Sequence, residues 1–142
     1  MPVHFHNDES PYRLREKRRV AAWIEGVVKA EGKIVGDIAF IFSSPQKHID
    51  INRRYLGHDY HTDVITFDYS DAAEGIVAGD IFIDPVTVRS NATQYGATAR
   101  SEMLRVLVHG VLHLCGYGDK SPSQQKLMRA RENLHLAQYT LK

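Results

Sequence analysis

Four of the five prolines stand directly after a residue type that caps helices: Ser10-Pro11, Ser44-Pro45, Asp84-Pro85 and Ser121-Pro122. A serine or aspartate side chain can accept the backbone N–H groups left orphaned in a first helical turn. Proline suits the next position, because its φ is already helical and its missing N–H would be unpaired there anyway. Ser121 also has Gln124 three residues on, the spacing of a capping box. Gly32, Gly57, Gly96 and Gly116 supply stops, since glycine closes a helix without steric cost. This punctuation predicts five helices, near 11–31, 45–56, 85–95, 98–115 and 122–138.

Between the helices lie stretches rich in β-branched and aromatic residues: IVGDIAFIF (34–42), DVITFDY (63–69) and GDIFID (79–84). The expected fold class is α+β: a small mixed β-sheet packed with about five helices in a single domain spanning 1–142. Residues 1–10 are expected to be a loose terminus.

A chain of 142 residues with 43% hydrophobic and 25% charged residues can bury a core, and it reads neither as disordered nor as fibrous. No apolar run approaches a membrane span, and MPVHFHNDESPY has no signal-peptide core. The single cysteine, Cys115, excludes an internal disulfide and fits a reducing compartment, so the expected location is cytoplasmic. A net charge of +1 does not announce a nucleic-acid binder. Basic residues do cluster in RLREKRR (13–19) and at Arg53 and Arg54, where a solvated helix face is the simpler account.

The segment HGVLHLCGYGD (109–119) carries the chemistry. His109 and His113 fall one helical turn apart, so their imidazoles can meet at one point. Gly116 lets the chain turn back, which brings Asp119 near both. The spacing His-x3-His-x2-Gly-x2-Asp matches the metzincin ligand pattern with its third histidine replaced by aspartate. Three ligands leave one position open, as in catalytic zinc sites. A His-x3-His pair alone is more often two ordinary partly buried histidines; the glycine and the third ligand at the right offset raise the odds of a metal site. Zinc peptidases carry glutamate directly after the first histidine as general base; here that residue is Gly110.

The same segment resembles the His-Gly-x-Leu-His-Leu-x-Gly-Tyr-Asp-His signature of the YbeY-type endoribonucleases. INRRYLGHDYHTDVITFDY (51–69) is similar to that family's Leu-Asn-x-x-Tyr-Arg-x-x-Asp-x-x-Thr-Asp-Val-Leu-Ser-Phe stretch, and GDIFID to its Gly-Asp-Ile-x-Ile strand. Met128 and Glu132 sit where the family has methionine and glutamate in its last helix. Together these cover most of residues 34–135.

The resemblance implies a small mixed sheet with helices around it and one Zn2+ held by His109, His113 and Asp119. It also implies cleavage of single-stranded RNA in maturation of the 3′ end of small-subunit ribosomal RNA, in association with the small ribosomal subunit and its assembly factors. Two positions depart from the family. Asp119 stands where a third histidine is usual, which lowers the charge of the centre by one and brings Mn2+ or Mg2+ closer to use, though still behind zinc. Leu56 stands where arginine is common, and Arg53 and Arg54 are candidate phosphate contacts in its place.

Arg18, Arg19, Arg53, Arg54 and His58 are the candidate RNA contacts, with no general base named. Asp63 and Asp80 are weighed as partners of the ligand histidines against plain turn caps, and Glu132 is read as structural, touching a buried polar group under the site. The rival readings are a non-catalytic ribosome-assembly factor that kept the fold and a metal-dependent hydrolase of another bond, such as a peptide.

Overall fold

The computed structural model of the chain describes residues 2–57 and 62–140. The elements run β1 (Val3–Asp8), α1 (Lys17–Ala30), β2 (Ile34–Ser43), α2 (Pro45–Leu56), β3 (Val64–Asp68), β4 (Ile76–Ile83), α3 (Pro85–Gln94), α4 (Ala99–Leu114) and α5 (Pro122–Thr140). One sheet has the order β1-β2-β4-β3. Strands β1, β2 and β4 are parallel neighbours, and β3 pairs antiparallel with β4, so the sheet is mixed.

Three of the four cap-proline pairs start helices. The Ser44 hydroxyl accepts from Lys47 N at 3.2 Å, and Asp84 accepts from Val86 N at 3.0 Å and Thr87 N at 3.4 Å. At Ser121 the capping box closes both ways: Gln124 N donates to Ser121 Oγ at 3.1 Å, and Ser121 N donates to Gln124 Oε1 at 3.2 Å. The fourth pair does not start a helix. The Asn7 side chain donates to the carbonyls of Ser10 and Tyr12 at 2.9 and 2.7 Å, and Tyr12 N donates to Ser10 Oγ at 3.3 Å. Those bonds hold 10–12 in a non-helical path, and α1 begins only at Lys17, after Glu16 at φ 59°.

The expected loose terminus is also corrected. Residues 3–8 form β1 in register with 38–43 of β2. Val3 is buried, and Phe5 stacks on Phe40 and Phe42 at 5.5 and 6.5 Å, while His4 and His6 alternate outward.

The core lies between one face of the sheet and α1, α4 and α5. Ile38, Phe40 and Phe42 of β2 and Val77, Ile81 and Ile83 of β4 meet Val20, Ile24 and Val27 of α1 and Leu107, Val111 and Leu112 of α4. Each such side chain contributes about 1.5–3 kcal/mol on burial. Two glycines bring α4 against β4. A Cβ on Gly110 would meet Ile81 Cγ2 at 2.9 Å, and one on Gly79 would meet Leu114 Cδ2 at 2.7 Å. Helix α5 is tied to α1 by the Trp23 indole donating to His135 O at 2.9 Å and by Arg19 donating to Tyr139 O at 2.8 Å. The helix that bears the histidines and the helix beside it are thereby fixed to the sheet.

Candidate metal centre

His109 and His113 project from the last two turns of α4. Gly116 then takes φ 109°, a conformation open to glycine alone at low cost, and Tyr117 N bonds back to Leu112 O at 3.0 Å. The chain reverses and delivers Asp119 to the two rings. The Nε2 atoms of His109 and His113 lie 3.0 Å apart, and Asp119 Oδ2 lies 3.2 Å from His113 Nε2 and 3.5 Å from His109 Nε2. Bonds of about 2.0–2.1 Å from a tetrahedral ion place its ligands about 3.3 Å apart. The observed triangle has that size.

The outer ring nitrogens decide where the protons sit. His113 Nδ1 lies 2.9 Å from the carbonyl oxygen of Tyr117, which can only accept. His109 Nδ1 lies 2.7 Å from Glu132 Oε2, a carboxylate. Both Nδ1 atoms therefore carry hydrogen, and in the neutral rings both Nε2 lone pairs face the Asp119 carboxylate. Three lone pairs aimed at one point repel one another without a cation between them, so the donor set fits a divalent metal. Asp119 is 41% exposed against 22% and 26% for the histidines, which leaves the solvent side free for a fourth ligand.

Glu132 is the residue that spacing did not reveal as a partner of His109. Its side chain is 6% exposed and also accepts from Arg105 Nη1 at 2.8 Å. Burial pushes its carboxyl up, but the bonds from His109 and Arg105 outweigh that and hold it below its ordinary range. Burial likewise lowers His109, yet the bond and charge of Glu132, with Asp119 and Asp63, raise it overall. One signal in the sequence marks Glu132: it shares the buried stripe of α5 with Met128, His135 and Tyr139, where a lone carboxylate requires a partner.

Tyr117 has its own anchor. Its hydroxyl donates to Glu31 Oε1 at 2.6 Å, while Glu31 Oε2 accepts from Arg131 and His135, each at 2.6 Å. Glu31 thus joins the end of α1, the ligand loop and α5.

Two polar recesses flank the triad. One, of about 550 Å³, is bordered by Asn52, Leu56, Thr62, Asp63 and Lys120; the other, of about 310 Å³, by Asp63, Glu102, Arg105, Gln125 and Arg129. Asp63 lines both, whereas Asp80 sits within the ladder of β4 opposite Phe67. Burial and the charge of Asp63 raise the Glu102 carboxyl.

The predicted basic residues are dispersed. Arg53 and Arg54 lie exposed on the last turn of α2 and do not border the recesses; Leu56 and Lys120 do. Arg18 is exposed on α1, and Arg19 packs 4.2 Å over the Tyr139 ring, away from the triad. His58 and His61 lie outside the described residues. Cys115, half-buried at the end of α4, has its thiol pushed up to about 11 by burial and then by Glu31, which makes it unreactive at neutral pH.

Comparison with known proteins identifies the family and the fold. A sequence model of the family described as endoribonuclease YbeY matches residues 4–140. A Bacteroides thetaiotaomicron protein named endoribonuclease YbeY is 47% identical over 122 residues, covering 86% of this chain and 88% of its own. One of the same name from Parabacteroides distasonis is 40% identical over 137 residues, covering 96% and 95%. The solution structure of TM1509 from Thermotoga maritima shares the fold, with a TM-score of 0.67 at 24% identity over 96% of this chain and 88% of that one. With nearly every residue from β1 to the end of α5 inside the match, the chain belongs to the endoribonuclease YbeY family.

Proposed function

We propose that this chain is a metal-dependent endoribonuclease that cuts single-stranded RNA in the maturation of the 3′ end of small-subunit ribosomal RNA. In this reading residues 4–140 act as one catalytic domain, in the cytoplasm and in contact with the small ribosomal subunit. The observation that carries it is the convergence of the His109, His113 and Asp119 ligand atoms, all within 4.8 Å of one another, in a recess open to solvent, within a chain of this family.

His109, His113 and Asp119 would hold the ion, with zinc favoured by two imidazoles and a small tetrahedral triangle. When bound, such an ion supplies an acidified water and a positive charge for the scissile phosphate. The chain's own residues do the rest. Glu132 and the Tyr117 carbonyl keep both Nδ1 atoms protonated, so that both Nε2 atoms point inward. Lys120 borders the larger recess and would meet a backbone phosphate there, whereas Arg53 and Arg54 would meet the strand only outside it. Gly110 is buried against Ile81, so position 110 faces the sheet, and no peptidase-type base can stand there.

Leu56 on the recess wall favours one other reading, an assembly factor that binds RNA without turning it over. A single-stranded oligoribonucleotide incubated with the purified chain decides between them. Cleavage that needs zinc and disappears in His113→Ala supports the enzyme. Binding that survives in His113→Ala, with no cleavage by either protein, supports the assembly factor.

A further inference from the structure

The basic run 13–19 does not form one helix face. Arg13 and Arg15 lie in the segment before α1, and they meet two arginines from distant parts of the chain, Arg89 of α3 and Arg100 at the start of α4. Together they rim a recess of about 200 Å³ whose floor includes Tyr12, Val88 and Met103. We propose that this recess is a second RNA site, which holds the phosphodiester backbone of a single strand away from the metal centre; the choice of RNA as occupant rests on the endoribonuclease reading.

The charges are poorly compensated. Among the described residues the only carboxylate paired with any of the four is Glu16, at 3.2 Å from Arg100 Nη2, and Glu16 is shared with Arg19 at 3.3 Å. Arg13, Arg15 and Arg89 are exposed and have no carboxylate within ion-pair distance among those residues. Arg100 is held in place, donating to Arg15 O at 2.9 Å and to the Tyr139 hydroxyl at 2.8 Å. The half-buried Tyr12 ring is fixed against Phe42 at 4.9 Å; burial pushes its hydroxyl up, and the charges of Arg100, Arg15 and Arg89 oppose that rise.

Four guanidinium groups drawn together around an aromatic floor, from three separate segments, repel one another. A polyanion relieves that repulsion, and guanidinium pairs with phosphate in two-point geometry. An aromatic ring beside cationic groups is also the combination by which proteins hold single strands without reading sequence. Arg100 and His109 are nine residues apart on α4, about 14 Å along the axis and half a turn round it. The recess therefore cannot serve the scissile phosphate. It would grip a distant part of the same RNA.

The test uses the full-length protein, kept metal-free so that no strand is cut, and a fluorescently labelled single-stranded oligoribonucleotide. Binding is followed by anisotropy at several salt concentrations for wild type, Arg13→Gln/Arg89→Gln and Lys29→Gln/Lys33→Gln. The lysine pair, one in the last turn of α1 and one just before β2, makes the same change in net charge. The expected result is roughly tenfold weaker binding in the arginine variant, with a log–log salt slope shallower by about 1.4 for two lost single-strand phosphate contacts. The lysine variant should keep nearly all of the affinity and the slope. Equal losses in both variants, or none in the arginine variant while wild type binds, would overturn the recess and leave the endoribonuclease reading standing. No binding by wild type would overturn both. Tighter binding of an acidic peptide of equal charge than of the oligonucleotide would give the recess to a protein partner and overturn the proposal as well. All three proteins are compared by thermal melting, which substitution of the exposed Arg13, Arg89 and Lys29 and of the half-buried Lys33 should not shift.

Discussion

The Nε2 atoms of His109 and His113 face each other at 3.0 Å, and a hydrogen can be placed between them only by making one ring an imidazolium. Each ring already has its Nδ1 proton committed, to Glu132 in one case and to the Tyr117 carbonyl in the other. A divalent cation resolves the conflict without adding a proton. Metal uptake should therefore be coupled to the two outer bonds as well as to the three ligands.

Glu132→Gln tests the first outer bond. Glutamine keeps the size of the side chain but weakens the acceptor at His109 and removes the charge that faces Arg105. Loss of such a partner typically lowers metal affinity by about 10–100-fold. Competition with a fluorescent zinc chelator measures it, and the variant should still bind zinc stoichiometrically at saturation. Unchanged affinity would mean that Glu132 serves Arg105 and the fold rather than the centre.

Gly110→Ala sets two effects against each other. Alanine gains about 1 kcal/mol over glycine inside a helix. Its Cβ would lie 2.9 and 3.1 Å from atoms of Ile81, a stiff, fully buried side chain on β4, and overpacking of that kind costs about 1–3 kcal/mol. The clash should win, lowering the chemical-denaturation midpoint. Gly110→Glu should be far worse and should bring no peptide cleavage, because residue 110 faces the sheet rather than the ligands.

Glu31 gives a pH dependence. Burial pushes its carboxyl up, but bonds from Tyr117, His135 and Arg131 outweigh it, and its folded-state value lies below the ordinary one. A depressed carboxyl contributes stability that is present above its unfolded value and is lost as pH falls through the folded value. The stability of the wild type should therefore drop on acidification below the ordinary glutamate range. Glu31→Gln should be less stable at neutral pH and should show a smaller drop over the same acid interval, as read from urea midpoints.

The parts of this molecule that could be read from the sequence are the local ones. Ser44, Asp84 and Ser121 cap their helices through bonds within three residues, so their prolines marked true helix starts. The triad is local too: one helical turn plus one glycine reversal brings Asp119 back to His113 six residues away. What escaped depends on distant contacts. The local exception is Ser10-Pro11, where the Asn7 side chain, three and five residues back, holds the carbonyls of Ser10 and Tyr12 outside a helix. Strand β1 was missed because Val3 and Phe5 are too few to show a pattern, and β2, more than thirty residues on, makes them a strand. Glu132 reaches His109 across 23 residues and Glu31 reaches Tyr117 across 86, separations that no spacing rule spans.

The most direct test of the metal centre is elemental analysis of the wild type and Asp119→Ala after dialysis against metal-free buffer. The geometry predicts near-stoichiometric zinc in the wild type and loss of most of it in the variant, with both proteins folded by circular dichroism. Equal zinc in both would remove Asp119 from the ligand set, and no metal in either would contradict a metal-dependent enzyme altogether.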